Sequence, residues 1–276
     1  MVSQTRHDTR VEGGAFEKSF VRYCSPILYS TEPFVTRDVT GFQGEIAGYD
    51  FLRHFFPVPA RIGIHPDRLI IQYEFLSNHQ RLDELVKGII TLQSMLGANV
   101  HSNVSQIQLN RLYTQLEGLC RELGRKLRSV HGATIERSGA SYNVRMVEDF
   151  IDENVMVPNG SLEMKLIDFE SFGEVETHKN LVVLPTSILV TALQSGGNDK
   201  AIIYLQKLLE SYFKGYFEQA PQWPIGLIDL QRQAYSYAIW ALRKPFNTHQ
   251  NAALISQIVG RLASKVVRDS TLTKIK

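Results

Sequence analysis

The sequence predicts an α+β fold in two unequal parts, a small sheet-rich portion over residues 1–76 and a larger helical portion over residues 77–276. Three observations predict it. Short Phe-, Tyr-, Val- and Ile-rich runs broken by Gly and Pro fill the first part. The apolar period changes to 3.6 after Ser77-Asn78-His79. Between two helical blocks, two short apolar runs flank the turn Pro158-Asn159-Gly160-Ser161, a strong hairpin signal.

The strand runs are Ala15 to Tyr23, Pro33 to Val39, Ala60 to Ile64 and Leu69 to Phe75. One helix interrupts them. Gly44 to Phe56 sets Ile46, Tyr49, Leu52, Arg53 and Phe56 at helical spacing, and Pro57-Val58-Pro59 ends it. In the second part, Leu82, Leu85, Ile89 and Leu92 share one helix face. Leu112, Leu116, Leu119, Leu123, Leu127 and Val130 form the apolar stripe of a longer helix that closes at His131-Gly132, with Gly132 as its C-cap and His131 favouring the helix dipole. Further helical patterns cover Lys200 to Phe217, Leu227 to Leu242 and Ala252 to Val267. The aromatic cluster of Tyr212, Phe213, Tyr216 and Phe217, with Tyr235, Tyr237 and Trp240, reads as core packing.

Composition narrows the class. With 43% hydrophobic residues and 30 Lys+Arg against 28 Asp+Glu, the chain of 276 residues buries a substantial core and carries a formal charge of only +2. Bulk charge therefore gives no reason to expect nucleic acid or an anionic membrane as partner. Cys24 and Cys120 make no disulfide framework and have no metal-ligand company, so they read as structural. No run approaches the ~18 apolar residues of a membrane span, and the first residues lack a signal-peptide core. The expectation is a cytoplasmic protein.

The chemistry concentrates at the hairpin. Val147-Glu148-Asp149-Phe150-Ile151-Asp152-Glu153-Asn154 precedes its first strand, and Ile167-Asp168-Phe169-Glu170 follows its second. Because a hairpin returns its ends to one place, Asp149, Asn154 and Asp168 are expected to converge. Two carboxylates and an amide oxygen suit Mg²⁺, a hard cation that keeps waters or phosphate oxygens in its shell. A calcium loop fits poorly, since the acids do not alternate and no Gly stands at the sixth position. Glu148, Asp152 and Glu153 read as solvated.

These segments resemble the catalytic and metal-binding loops of the aminoglycoside/choline phosphotransferase family. The order of elements around them is similar as well, including Leu123 to His131, and Leu69 to Leu76 as last N-lobe strand and hinge. The resemblance implies a protein-kinase-like two-lobed fold with a small, reduced sheet-rich N-lobe as the nucleotide-binding lobe and a helical C-lobe. It implies transfer of the γ-phosphate of ATP to a hydroxyl of a small molecule, with Asp149 as catalytic base and Asn154 and Asp168 as Mg²⁺ ligands. Adenine would lie against the hinge at Glu74 to Leu76, and Glu45 would pair with a phosphate-binding lysine. Lys18 is the only lysine before Lys87. Arg22 or Arg37 takes that position if a later strand is the equivalent one, and Gly13-Gly14 is either a remnant of a glycine-rich loop or a plain turn.

Two departures stand out. Val147-Glu148-Asp149 replaces the family's His-Gly-Asp, and Asn180-Leu181 replaces the Asp-Leu pair that in the family opens the helix after the metal-binding loop, so the resemblance implies a helix there. They leave open a kinase-like nucleotide-binding or scaffold module without turnover. A protein kinase fits less well, because the span from Asp168 to Leu181 leaves little room for a peptide platform. The acceptor and the oligomeric state have no signature in the sequence.

Overall fold

The computed structural model describes residues 8–24, 34–97, 103–138, 141–159, 163–218, 226–242 and 248–272. The N-terminal strands are β1 (Asp8–Glu12), β2 (Ala15–Ser19), β3 (Val21–Cys24) and β4 (Phe34–Arg37), followed by α1 (Val39–Leu52), β5 (Arg61–His65) and β6 (Ile70–Glu74). They form an antiparallel sheet in the order β1-β2-β6-β5, with β3-β4 as a separate hairpin. The single strand expected over Ala15 to Tyr23 is thus two. Phe20, fully buried, breaks it by donating its N–H to Leu69 O (2.9 Å) and packing edge-on against Phe42. Gly13 and Gly14, at φ 57° and 80°, make the β1–β2 turn, where both positions require the left-handed region. Ala15 pairs with Glu74, so this turn lies at the hinge end of the sheet, where Phe75 N–H donates to Gly14 O. The turn reading of Gly13-Gly14 is therefore the one that holds.

Helix α1 starts earlier and stops earlier than its apolar spacing implied. Asp38 caps it by accepting from Gly41 N–H (2.8 Å), a five-residue extension toward the N-terminus that the sequence reading missed. Phe56 lies beyond its end.

The C-terminal part begins with β7 (His79–Arg81), α2 (Leu82–Gly97) and α3 (Asn103–Thr134). Next come β8 (Glu136–Ser138), β9 (Ser141–Val147), β10 (Val155–Pro158), β11 (Lys165–Leu166) and β12 (Phe172–Glu176). The chain finishes with α4 (Thr177–Gln194), α5 (Asp199–Phe217), α6 (Leu227–Leu242) and α7 (Thr248–Leu272). The expected hairpin is β10–β11, with Val155 opposite Leu166. Residues 160–162 of its turn lie outside the described residues. The strands β7, β8 and β12 have too few alternating apolar positions to stand out in the sequence, whereas β9 alternates Tyr142, Val144 and Met146 with polar residues, a signal the sequence reading missed.

Helix α4 is the core of this part, buried on nearly every side. Its Pro185 has no N–H for the carbonyl of Leu181, and the hydroxyl of Tyr212 donates to that carbonyl instead (3.1 Å). Tyr212, Phe213, Tyr216 and Phe217 are core residues, as expected. Trp240 is not, being 50% exposed. Helices α3 and α5 cross at van der Waals contact of their backbones. A Cβ on Gly124 would collide with the carbonyl of Tyr212, and one on Gly215 with the carbonyl of Arg121. Among the described residues, no helix is long and apolar enough to cross a membrane.

Two end-of-helix expectations fail on α3. Gly132 lies inside the helix, which runs on to Thr134. His131 is fully buried, with Nδ1 2.7 Å from the Tyr216 hydroxyl and Nε2 3.0 Å from Asn180 Oδ1. Burial first, and the charge of Arg128 in addition, bring its pKa down to about 4 despite the Asn180 hydrogen bond. A neutral imidazole gives the helix dipole nothing.

Gly215→Ala is expected to destabilise the fold by roughly 1–3 kcal/mol through overpacking. Gly88→Ala, where an added Cβ meets nothing within 4 Å, is the control and should be neutral or stabilising by up to about 1 kcal/mol. Urea denaturation of both variants measures this. His131 binds its proton more weakly folded than unfolded, so its contribution is complete above about pH 6.5 and is lost as the pH falls toward 4. Stability should fall across that window by at most about 1.4 kcal/mol per pH unit from this group, and His131→Gln should flatten the slope.

Candidate active site

Three hydrogen bonds join the two acidic loops, and a fourth, from Ile151 to Asp149, tightens the first of them. Ile167 N–H donates to Asn154 O (3.0 Å), and Ile151 N–H to Asp149 O (2.9 Å). Glu148 N–H donates to Ser171 O (3.2 Å), and Asp149 N–H to Ser171 Oγ (3.3 Å). Asn154 is buried and its Nδ2 donates to Asp149 O (2.9 Å), which leaves Oδ1 for another partner. Asp149, Asn154 and Asp168 are therefore gathered at the open end of the hairpin.

Asp168 has φ 64°, the left-handed region, where a non-glycine residue costs roughly 1–3 kcal/mol. The conformation turns its carboxylate toward the sheet. There Lys18 Nζ lies 2.5 Å from Asp168 Oδ1, 2.9 Å from Glu45 Oε2 and 3.2 Å from Glu170 Oε2. Burial opposes the charge of Lys18, but Glu45, Asp168 and Glu170 outweigh it and raise its pKa. Glu45 is buried and fully engaged. Beyond Lys18 it accepts from the hydroxyl of Tyr73 (2.8 Å) and from Phe169 N–H (2.8 Å).

The close approach of α1 makes this possible. A Cβ on Gly48 would stand 2.8 Å from the Cβ atoms of Phe169 and Phe172, and one on Gly44 would collide with Glu170 O. Glycines four apart put a bare helix face against the loop that carries Asp168, and Glu45 lies beside that face. The sequence reading missed Tyr73, Glu170 and this pair of glycines. Only the glycine spacing carried a signal.

Of the alternatives to Lys18, Arg37 is exposed and donates to Asp67 O (2.7 Å), outside the cleft. Arg22 lies on β3 of the separate β3–β4 hairpin. Glu74 and Leu76 both line the cleft, while the Glu74 carboxylate ion-pairs with Lys165 on β11, linking the two parts behind it. The cleft has a volume of about 260 Å³. Lys18, Glu45 and Asp168 stand at its polar end, and Phe16, Pro59, Met156 and Ile167 give it apolar walls.

Asp149 is exposed at the mouth. Desolvation by its surroundings, then the charges of Glu148, Asp168 and Glu170, raise its pKa against the opposing Lys179. Tyr237 on α6 feels the charges of Asp152 and Asp149, so it belongs to the same neighbourhood. Asp152 is not solvated as expected. It is buried and accepts from Ser187 Oγ and Thr191 Oγ1, tying the loop to α4, and burial raises its pKa to about 6. Glu148 and Glu153 are exposed, Glu148 ion-pairing with Lys179.

Among the described residues, no three His, Cys, Asp or Glu side chains converge as a self-sufficient metal cage. Asp168 with the free Oδ1 of Asn154 is an incomplete oxygen set beside an excess of negative charge. It suits an ion that takes its remaining ligands from water and phosphate.

No protein-family model matches the sequence, and no curated protein does. Solved structures do. Glucosamine kinase in complex with glucosamine, ADP and inorganic phosphate superposes with a TM-score of 0.52 at 8% identity, over 97% of this chain and 78% of that one. Another crystal form of glucosamine kinase gives 0.50 at 9% identity, over 95% and 73%. A choline/ethanolamine kinase family protein from Mesorhizobium loti aligns over 97% and 91% at 12% identity, with a TM-score of 0.43. The chain thus shares the two-lobed, protein-kinase-like fold of the glucosamine kinase structures, sheet-rich at its N-terminus and helical beyond.

Proposed function

We propose that this protein is an ATP-dependent phosphotransferase that moves the γ-phosphate to a hydroxyl of a small molecule. Residues 1–76 would act as the nucleotide-binding lobe and residues 77–276 as the lobe carrying the catalytic and metal-binding loops. One observation carries the reading: a buried lysine held by the α1 glutamate reaches, at the polar end of an apolar cleft, the carboxylate of a left-handed aspartate. The ADP bound by the structurally similar glucosamine kinase supports a nucleotide in the cleft.

In this reading the flat base lies between Phe16 and Pro59 on one side and Met156 and Ile167 on the other, against Glu74 to Leu76. Lys18 binds phosphate oxygens, held in place by Glu45 while its bonds to Asp168 and Glu170 are exchanged for the ligand. Asp168 and Asn154 would hold Mg²⁺, which would neutralise phosphate charge when bound. Asp149 accepts a hydrogen bond from the acceptor hydroxyl and takes its proton. The pKa raised by desolvation and by its acidic neighbours makes it a stronger base than an ordinary aspartate.

A second reading, a nucleotide-binding module without turnover, is favoured by the self-contained Lys18 cluster. It is also favoured by the β1–β2 turn, which lies at the hinge and not over Lys18. Purified protein, Mg-ATP and a panel of amino sugars, amino alcohols and sugars separate the two. Transfer by wild type, reduced about 10²- to 10⁴-fold in Asp149→Asn and abolished in Asp168→Asn, is the expected result. Stabilisation of the wild type by Mg-ATP without consumption across the panel would favour the module, and undiminished transfer in both variants would remove the assigned roles.

A further inference from the structure

Val147, directly before Glu148-Asp149, is fully buried and apolar, so its side chain makes no hydrogen bond to steady the loop. Its carbonyl does: Asn180 Nδ2 donates to Val147 O at 2.9 Å. Behind Asn180 stand His131, at 3.0 Å from Oδ1, and the Tyr216 hydroxyl, at 2.7 Å from the other ring nitrogen. Asn180 and His131 are fully buried, and Tyr216 is 1% exposed.

Donor and acceptor bookkeeping leaves one arrangement. A carbonyl only accepts, so the Asn180 amide nitrogen must face Val147. Oδ1 then accepts and His131 Nε2 carries the hydrogen. Nδ1 is left with a lone pair, which accepts from Tyr216. The direction Tyr216, His131, Asn180, Val147 is fixed at every step, and each member comes from a different element: α5, α3, α4 and β9. The charged group that acts on the imidazole is Arg128 on α3, whose guanidinium lies 5.9 Å from the Tyr216 ring centroid. The Tyr212 hydroxyl is occupied with Leu181 O.

We propose that Asn180 is a positioning residue whose amide, oriented by neutral His131 and by Tyr216, holds the Val147 carbonyl and so sets the Asp149 carboxylate opposite Asp168. The proposal rests on Asp149 acting as base in the phosphotransfer reading. It accounts for the two departures from the resembled family together. With valine at 147 the loop is fastened through its carbonyl, and a carbonyl needs the N–H that asparagine has and aspartate lacks. An aspartate at 180 would set oxygen against oxygen.

The test uses the full-length protein. ¹⁵N NMR of wild type should show His131 neutral at pH 7 as the single Nε2–H tautomer; an imidazolium or the Nδ1–H tautomer overturns the proposal. Asn180→Asp should lower kcat about 100-fold, as expected for a misplaced reacting group. KM for Mg-ATP should stay within about twofold, since nucleotide binding is untouched. The His131 pKa should rise above about 6.5 beside the new carboxylate. Unchanged kcat overturns the proposal, and so does a rise in KM with kcat intact. If wild type shows no transfer, the phosphotransfer reading fails by itself. Positioning is then judged on the Asp149 amide resonance, displaced in Asn180→Asp if Asn180 sets the loop and unmoved if it does not. Should Asn180→Asp not fold, Tyr216→Phe should keep the Nε2–H tautomer, which Asn180 Oδ1 still requires, and shift the Asp149 amide; loss of that tautomer or an unmoved amide overturns the proposal.

Discussion

Glu45 is the joint on which the site depends. Its two oxygens accept from Lys18 on β2, from Tyr73 on β6 and from the backbone of Phe169 in the loop after β11, so one buried carboxylate holds sheet, helix and loop in register. A carboxylate 1% exposed survives in that setting because each of its oxygens has a donor and one donor is charged. Removing Lys18 leaves the buried Glu45 carboxylate without its cation, a cost of about 3–5 kcal/mol, whereas removing Glu45 leaves Lys18 its contacts with Asp168 and Glu170 and costs less. The pair is therefore structural and functional at once, and stability has to be measured beside any activity of a variant at either position.

Lys18 is held differently from Glu45. Glu45 is saturated by three donors from rigid elements, whereas two of the three partners of Lys18, Asp168 and Glu170, have side chains 39% and 32% exposed. The bond to Glu45 is shielded from water and the other two are partly screened by it. An incoming polyanion competes for the screened contacts and leaves the shielded one alone. The same gradient makes the acidic end of the cleft receptive to a cation, since Asp168 and Glu170 are held near Asp149, where their charges add to the burial and the Glu148 charge that raise its proton affinity.

What was legible in the sequence follows from how local each cause is. The β10–β11 hairpin was readable because turn chemistry and two apolar runs lie within a dozen residues, and with it the convergence of Asp149, Asn154 and Asp168. The stripes of α2, α3, α5, α6 and α7 were readable because period 3.6 repeats over several turns. Strand β9 carried a period-2 signal in Tyr142, Val144 and Met146 that the reading missed, while its partner β12, 25 residues or more along the chain, does not alternate. Helix α4 was expected only through resemblance, since burial on all sides erases the amphipathic period that marks a surface helix. Tyr73, Asn180 and His131 act through contacts tens of residues apart, and no residue type announces such a partner.

The fate of the acids around the hairpin makes the same point in physical terms. Glu148, Asp152 and Glu153 look alike in sequence, yet Asp152 alone is buried, because the short 3₁₀ turn of Asp152 to Asn154 rolls it onto Ser187 and Thr191 of α4. That anchor fixes the turn from below while Asn154 reaches back to Asp149 from within it. Ser171 fastens the loop from the strand side, and Asn180 does so from the helix. A loop held from three directions presents Asp149 without that residue making a side-chain anchor of its own, which is the arrangement a proton acceptor requires: a rigid backbone beneath and a carboxylate left open to its partner.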